Sequence, residues 1–167
     1  MNQTRDVKIS EGAEDGPERL VAMHAAYYSR DWGFGPFFRD KVAGDLAEFR
    51  LRLPHPDCGL WFARRGRDIL GSIAIDGRAA AQDGAHLRWF IVDDVLRGAG
   101  TGARLIDHAL AFCRRREFAS VSLWTFAGLD AARKLYEARG FRLVEEIDAQ
   151  TWGVNVREQR FLLNAGA

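Results

Sequence analysis

The sequence predicts a single α/β domain built around one mixed sheet, and three observations carry that expectation. Runs with a period of about two residues alternate with runs of about 3.6, in the order β-α-α-β-β-β-loop-α-β-α-β-β, which makes about seven strands flanked by about four helices. Only residues 86–125 read as a strand–helix–strand unit with parallel strands, so the sheet is mixed rather than doubly wound. The chain has 167 residues, 47% of them hydrophobic, which is enough for one core without metal or disulfide staples. One domain is expected over residues 1–167.

The elements follow in order. A short alternating stretch around Val7 and Ile9 is the first strand. The acidic "EGAEDGP" ends in Pro17, a residue suited to the first turn of a helix. From Glu18, "ERLVAMHAAYYSRDW" puts Leu20, Met23, His24, Tyr27 and Tyr28 on one helical stripe. Gly33, Gly35 and Pro36 punctuate it, and "FFRDKVAGDLAEFRLRL" is a second helix followed by the turn "LPHPDC". "GLWFARRG" and "RDILGSIAIDG" form an antiparallel hairpin, and "AHLRWFIV" is the next strand. "GARLIDHALAFCRRREF" is a helix with Leu105, Ile106, Ala109, Leu110 and Cys113 on its apolar face. "ASVSLWTF" is a strand, "LDAARKLYEARG" a helix stopped by Gly140, and "FRLVEEI" and "WGVNVREQRFLL" are the closing strands.

Charge and composition exclude several classes. The net charge of +1 supplies no electrostatic footprint for nucleic acid or an anionic membrane surface. No apolar run reaches the roughly 18–20 residues of a membrane span, and the start "MNQTRDVKIS" has no apolar signal core. Cys58 and Cys113 show no metal-ligand spacing and read as reduced thiols, so a cytoplasmic protein without a metal is expected. Neither cysteine nor any serine sits in a nucleophile motif.

Between the third long strand and its helix lies "VDDVLRGAGTGARL", with three glycines within Gly98–Gly102. Gly98-Ala99-Gly100-Thr101-Gly102-Ala103 contains Gly-x-Gly-x-x-Ala, the pattern of a dinucleotide loop. That reading needs an acidic residue at the tip of the next strand for the ribose, and "ASVSLWTF" carries none. A P-loop fails because no Gly-Lys-Ser/Thr follows. The same segment reads Arg97-x-x-Gly100-x-Gly102. Its small residues admit a pyrophosphate close to the backbone, the helix start offers unpaired N–H groups, and Arg97 adds a cation. A plain glycine-rich turn is the bland alternative.

"RGAGTG" together with "DAARKLYEARGF", Asp130 to Phe141, resembles the two signatures of the GNAT superfamily of acyl-CoA N-acyltransferases, in order and at the family's spacing. "HAAYYSRDWGFGPFF" and "TWGVNVREQRFLL" are similar to acetyltransferase domains fused to MarR-type regulators. The resemblance implies a sheet splayed into a V between the fourth and fifth strands, with acetyl-CoA in the cleft and the amine approaching from the opposite side. It implies that Arg97, Gly98, Ala99, Gly100, Thr101 and Gly102 hold the pyrophosphate. It also implies that backbone groups of Phe90, Ile91 and Val92 meet the pantetheine arm and polarise the thioester carbonyl. Tyr136 matches the residue that protonates the departing thiolate. Where the family often has an asparagine, this chain has Leu129, and the neighbouring Asp130 suits a helix N-cap.

For the acceptor side, His24, His86, Asp76, Asp83 and Arg88 are the candidate proton acceptors or charge carriers. Arg88 alternates with Phe90 and Val92, which would put the three on one face. Tyr27, Tyr28, Trp32, Phe34 and Trp61 could wall the pocket or simply fill the core. Arg114, Arg115 and Arg116 and nearby Arg104 could suggest nucleic acid, but the run ends a helix, where cations favour the dipole and face water. The expected activity is acetyl transfer from acetyl-CoA to an amine in a ternary complex. The alternative is an acyl-CoA-binding sensor without turnover. A last strand with an exposed edge could support a homodimer.

Overall fold

The computed structural model describes residues 6–12 and 16–165; the central "AED" of "EGAEDGP" and the first five residues of the chain lie outside them. The strands are β1 (Val7–Glu11), β2 (Cys58–Arg65), β3 (Asp68–Asp76), β4 (Ala85–Val92), β5 (Ser120–Phe126), β6 (Arg142–Ala149) and β7 (Val156–Asn164). The helices are α1 (Pro17–Trp32), α2 (Pro36–Arg50), α3 (Ala80–Asp83), α4 (Thr101–Arg115) and α5 (Asp130–Glu137). A single 3-10 turn, Asp94–Leu96, links β4 to the glycine loop, and Asp93 caps it by accepting from the Val95 N–H at 3.1 Å.

The chain punctuation works as the residue types require. Pro17 opens α1, where a missing N–H costs nothing. Gly33 closes it in the left-handed region at φ 68°, and the Gly33 and Phe34 N–H groups donate to the Ser29 and Tyr28 carbonyls at 3.2 and 3.1 Å. Only α3 has no counterpart in the sequence reading. One turn of helix is too short to show a period, and the three alanines Ala79, Ala80 and Ala81 between Gly77 and Gly84 favour it locally.

The seven strands form one sheet in the order β1-β2-β3-β4-β5-β7-β6. Every pairing is antiparallel except β4 with β5. Two cores cover its faces. On one, Leu105, Ile106 and Ala109 of α4 are fully buried against Ile73, Ile75 and Leu87. On the other, Leu20 of α1 with Phe38, Leu46 and Phe49 of α2 packs on Phe62, Ala74 and Ile91. The side chains predicted for the apolar face of α4 are all buried. Among the described residues no helix is long and apolar enough to cross a membrane.

One topological expectation is overturned. The last strand does not expose an edge: β7 lies between β5 and β6 and pairs with both. Its alternating apolar residues fit either position, and only the long β5–β7 register, Ser120↔Asn164 through Phe126↔Glu158, draws it inside. The edge beside it is β6, with Val144 and Ile147 exposed.

Candidate functional site

The sheet divides where its only parallel pair begins to separate. β4 and β5 share register at just Ala85↔Val121 and His86↔Ser122. Beyond His86 the β5-facing backbone groups of β4 have no ladder partner, and a cleft of about 1140 Å³ opens there. On its other side β4 remains paired to β3, but with a bulge. Ser72 faces Ile91 and Ala74 faces Arg88, so Trp89 and Phe90 together oppose Ile73. Trp89 takes φ 46°, and the Ser72 hydroxyl donates to its carbonyl at 2.7 Å.

This bulge reverses the alternation of the strand. Leu87 before it and Phe90 and Val92 after it all pack on the α4 side, whereas Trp89 and Ile91 pack on the α1–α2 side. Arg88 therefore does not share a face with Phe90 and Val92, as simple alternation predicts. It reaches Asp45 of α2 at 3.7 Å. The inserted residue shifts parity by one, which a period-two reading cannot anticipate.

At the mouth of the cleft, Gly98 and Gly100 adopt φ 75° and 79°, and a Cβ at either would meet open space. Gly100 also caps α4 without offering a side chain, and the first intrahelical bond is Arg104 N–H to Gly100 carbonyl at 3.1 Å. The N–H groups of Thr101, Gly102 and Ala103 thus have no partner from the helix and lie at its positive end. Gly102 has a different duty. A Cβ there would sit 3.2 Å from both Leu135 and Phe90, so its smallness lets α4 approach α5 and β4. The Ala99 N–H is taken by the Leu96 carbonyl at 3.2 Å, and Ala99 does not line the cleft. Arg97 does line it, held by Asp94 at 2.6 Å and by the Tyr27 ring at 4.9 Å. A backbone cradle with open space, a helix start and one cation fits an anionic pyrophosphate.

Tyr136 of α5 enters the cleft from the α4 side. It is buried, with its ring centroid 6.0 Å from Phe90 and 5.9 Å from Phe141. Burial pushes its phenol well above the ordinary tyrosine range, and the nearby Tyr28 phenol adds to the shift, so the hydroxyl holds its proton. Arg139 anchors this helix to α4 through Asp107 at 2.6 Å and the Leu135 carbonyl at 3.1 Å. Asp130 is the first residue of α5, and the position before it, Leu129, makes no side-chain cap; the expected Asp130 N-cap is therefore not formed. Cys58 and Cys113 are both buried away from the cleft, and burial pushes the Cys113 thiol up to about 12.

On the acceptor side the structure sorts the candidates. His24, His86 and Arg88 line the cleft, whereas Asp76 and Asp83 do not. Asp76 instead pairs with Arg52 at 3.2 Å. His24 is buried, with Nδ1 2.9 Å from the Leu20 carbonyl, and burial lowers its pKa to about 4. Burial also lowers the pKa of His86, with Asp76 opposing the shift. Tyr27 and Tyr28 line the wall, while Trp32 and Phe34 stand behind it in an aromatic cluster with Phe126. Trp61 lies on the other face of the sheet against Phe112 and His108. Arg116, just past α4, pairs with Asp57 at 2.6 Å, and Arg104, in the first turn of that helix, donates to the Val7 carbonyl at 3.0 Å, while Arg114 and Arg115 are exposed.

Four residues of this wall carried no signal in the sequence: Lys41, Asp45, Trp152 and Glu158. Lys41 and Asp45 are one helical turn apart on α2 and 3.1 Å from each other. The Trp152 indole N–H donates to Glu158 Oε1 at 2.7 Å, and Glu158 is 8% exposed. A lone glutamate in an alternating strand reads as an outward residue, and only the insertion of β7 turns it inward.

Comparison with known proteins agrees with this geometry. N-acetylaspartate synthetase of Danio rerio is 28% identical over 134 residues, which cover 79% of this chain and 47% of that protein. The chain thus spans about half the length of that curated relative. A GNAT-family acetyltransferase from Staphylococcus aureus superposes with a TM-score of 0.75 at 18% identity, covering 95% of this chain and 98% of that one. An acetyltransferase structure from Salmonella typhimurium, solved with its cofactor acetyl-CoA, gives a TM-score of 0.75 at 11% identity, covering 96% and 95%. At such identities these structures speak for the fold. A sequence profile of the Acetyltransferase (GNAT) family matches residues 18–141, a span that takes in the splayed β4–β5 pair, the glycine loop and Tyr136; the chain belongs to that family.

Proposed function

We propose that the protein transfers an acetyl group from acetyl-CoA directly to an amine, with Tyr136 as the general acid. The observation that carries this reading is the convergence on one cleft of three features: an uncapped helix start behind an open glycine loop, a strand freed of its ladder, and a buried phenol. Acetyl-CoA would supply the activated thioester. Arg97, the Gly98 and Gly100 turns and the N–H groups of Thr101 and Gly102 hold the pyrophosphate end. Backbone groups of Phe90, Ile91 and Val92 orient the pantetheine arm and donate toward the carbonyl oxygen as charge develops there. The Tyr136 hydroxyl gives its proton to the thiolate sulfur.

The two cysteines are away from the cleft, which supports direct transfer rather than a covalent acyl-enzyme. The name of the Danio rerio relative denotes an amide of an amino group, which supports nitrogen as the acceptor atom. A sensor domain, motivated by the likeness to regulator-fused acetyltransferases, predicts an obstructed acceptor side. The cleft instead continues past β4 to Lys41 and Glu158, which favours turnover.

Free-thiol release with a panel of amines tests the reading, and Tyr136→Phe tests the acid. The variant keeps the ring that packs on Phe90 and Phe141 and loses only the proton. Its turnover is expected to fall by roughly 10²–10⁴-fold, with acetyl-CoA affinity within about twofold of the parent. Undiminished turnover at saturating substrates removes Tyr136 from the mechanism.

A further inference from the structure

The acceptor side of the cleft carries one buried charge that the protein itself does not answer, and it is negative. The cations of that wall are neutralised. Lys41 and Arg88 reach Asp45 at 3.1 and 3.7 Å, and Arg52 behind them reaches Asp76 and Glu48 at 3.2 Å each. Asp76 and Glu48 also act on Arg88, so three cations stand against three carboxylates and the cluster is balanced.

Glu158 is placed differently. In the ladder it lies directly opposite Phe126 of β5 and Ile147 of β6, so the three side chains share one face of the sheet and the carboxylate has an apolar neighbour on each strand. Glu158 is 8% exposed, and its Oε1 accepts from the Trp152 indole N–H at 2.7 Å. Among the described residues no cation pairs with it. Its second oxygen, Oε2, takes no hydrogen bond from a described residue, yet it is not sealed off: the side-chain atoms closed to solvent without a partner are Arg52 Nε and Ser122 Oγ. Oε2 therefore opens on the cleft that Glu158 lines. A buried carboxylate without a cation is costly unless a ligand supplies one.

Trp152, which holds this carboxylate, also belongs to a closed circuit of four rings. Ring centroids lie 4.9 Å apart from Tyr28 to Phe38, 5.3 Å from Phe38 to Trp152, 6.0 Å from Trp152 to Phe126 and 5.7 Å from Phe126 back to Tyr28. All four line the cleft. Such a wall takes up an apolar body, and its ring faces favour the polarised methylene groups beside an ammonium.

We infer that the acceptor is a monocationic primary amine with an apolar or aryl body, whose ammonium group is received by Glu158 and whose body rests on the ring circuit of Tyr28, Phe38, Phe126 and Trp152. This inference rests on the acetyltransferase reading, because it assigns the acceptor half of the same cleft. Binding makes no covalent bond: the ammonium group completes the coordination of Glu158, and the amine is thereby oriented before it gives up its proton. An amino acid would bring a second carboxylate toward Glu158 with the nearby cations already paired, and a polyamine would lay further cations along an apolar wall. Both are disfavoured by charge and desolvation.

The test uses phenethylamine, tryptamine and hexylamine as probes, with L-phenylalanine and spermidine as competitors of the wrong charge and 2-phenylethanol as the uncharged counterpart of phenethylamine. Two readouts are used: acetyl transfer, and calorimetric binding to the protein saturated with CoA. At least one of the three apolar amines is expected to be acetylated, with kcat/KM on the order of 10–100-fold above L-phenylalanine and spermidine. Glu158→Gln keeps an acceptor for the Trp152 N–H and loses the charge. It should weaken binding of phenethylamine on the order of tenfold or more while leaving that of 2-phenylethanol and of CoA unchanged, a split that a merely structural role for Glu158 would not produce.

Acetylation of L-phenylalanine or spermidine as efficient as that of the apolar amines overturns the inference and leaves the acetyltransferase reading standing. So does a panel in which CoA binds but none of the three amines is acetylated. Folded Glu158→Gln that binds phenethylamine as the parent does overturns it as well. Failure of acetyl-CoA and CoA to bind at all overturns both readings, and direct titration of these two ligands distinguishes that case.

Discussion

His24 illustrates what a single residue costs the molecule in its place beside the site. Its Nδ1 donates to the Leu20 carbonyl at 2.9 Å, which fixes the other nitrogen as an acceptor, and burial outweighs that bond and holds the ring neutral with a pKa of about 4. In the unfolded chain the same ring titrates near the ordinary histidine value of 6.5. Between those values the unfolded state binds the proton and the folded state does not. Stability is therefore intact above this window and is lost as pH falls through it. From pH 7 to pH 5 this group alone should remove about 2 kcal/mol from the unfolding free energy. His24→Gln cannot gain the charge, so urea unfolding of that variant should show a shallower decline over the same interval. An unchanged slope would show that His24 reaches solvent in the folded state. Arg88 gives the complementary lesson, since its neighbours on the strand do not determine its face; the bulge at Trp89 does.

At the scale of elements, the start of α4 and the body of α5 act as one unit. Arg139 bonds Asp107 of α4 and the carbonyl of Leu135, so the helix that carries Tyr136 is anchored to the helix that follows the glycine loop. The loop itself is tuned for emptiness at Gly100. A methyl group there meets no protein atom, but φ 79° is unfavourable for any side chain. Gly100→Ala should cost about 1–2 kcal/mol of stability and put a methyl group into the open space where the proposed pyrophosphate site lies. CoA affinity of the folded variant is expected to drop at least about tenfold, since a misplaced group at this helix start forfeits charge-assisted bonds. Wild-type CoA binding by folded Gly100→Ala would refute the loop assignment.

At the scale of the whole molecule, the sheet is joined across the V by only two register pairs, and the cleft occupies the gap between its halves. A ligand that fills this gap binds the folded state alone. Acetyl-CoA and CoA at a hundredfold excess over their dissociation constants should each raise stability by roughly 2.7 kcal/mol, readable as a rise in Tm. NAD should give no shift, because β5 ends in Thr125-Phe126 without the carboxylate that a ribose needs. A shift with NAD and none with CoA would return the glycine loop to the dinucleotide reading.

The sequence by itself determined the element order, the apolar faces of α1 and α4, the glycine loop and the place of Tyr136 on a short helix. Each of these is encoded within a few consecutive turns or in one contiguous motif, where periodicity and backbone preference speak locally. What only the tertiary structure decided is non-local: the insertion of β7 between β5 and β6, the parity change at the β4 bulge, and the wall where Lys41, Arg88, Trp152 and Glu158 meet. Those residues come from α2, β4, the β6–β7 turn and β7. No period links them, and a charge on an alternating strand looks the same whether its face meets water or a cleft. Sheet order and register make that choice, because they are set by the packing of distant segments against one another.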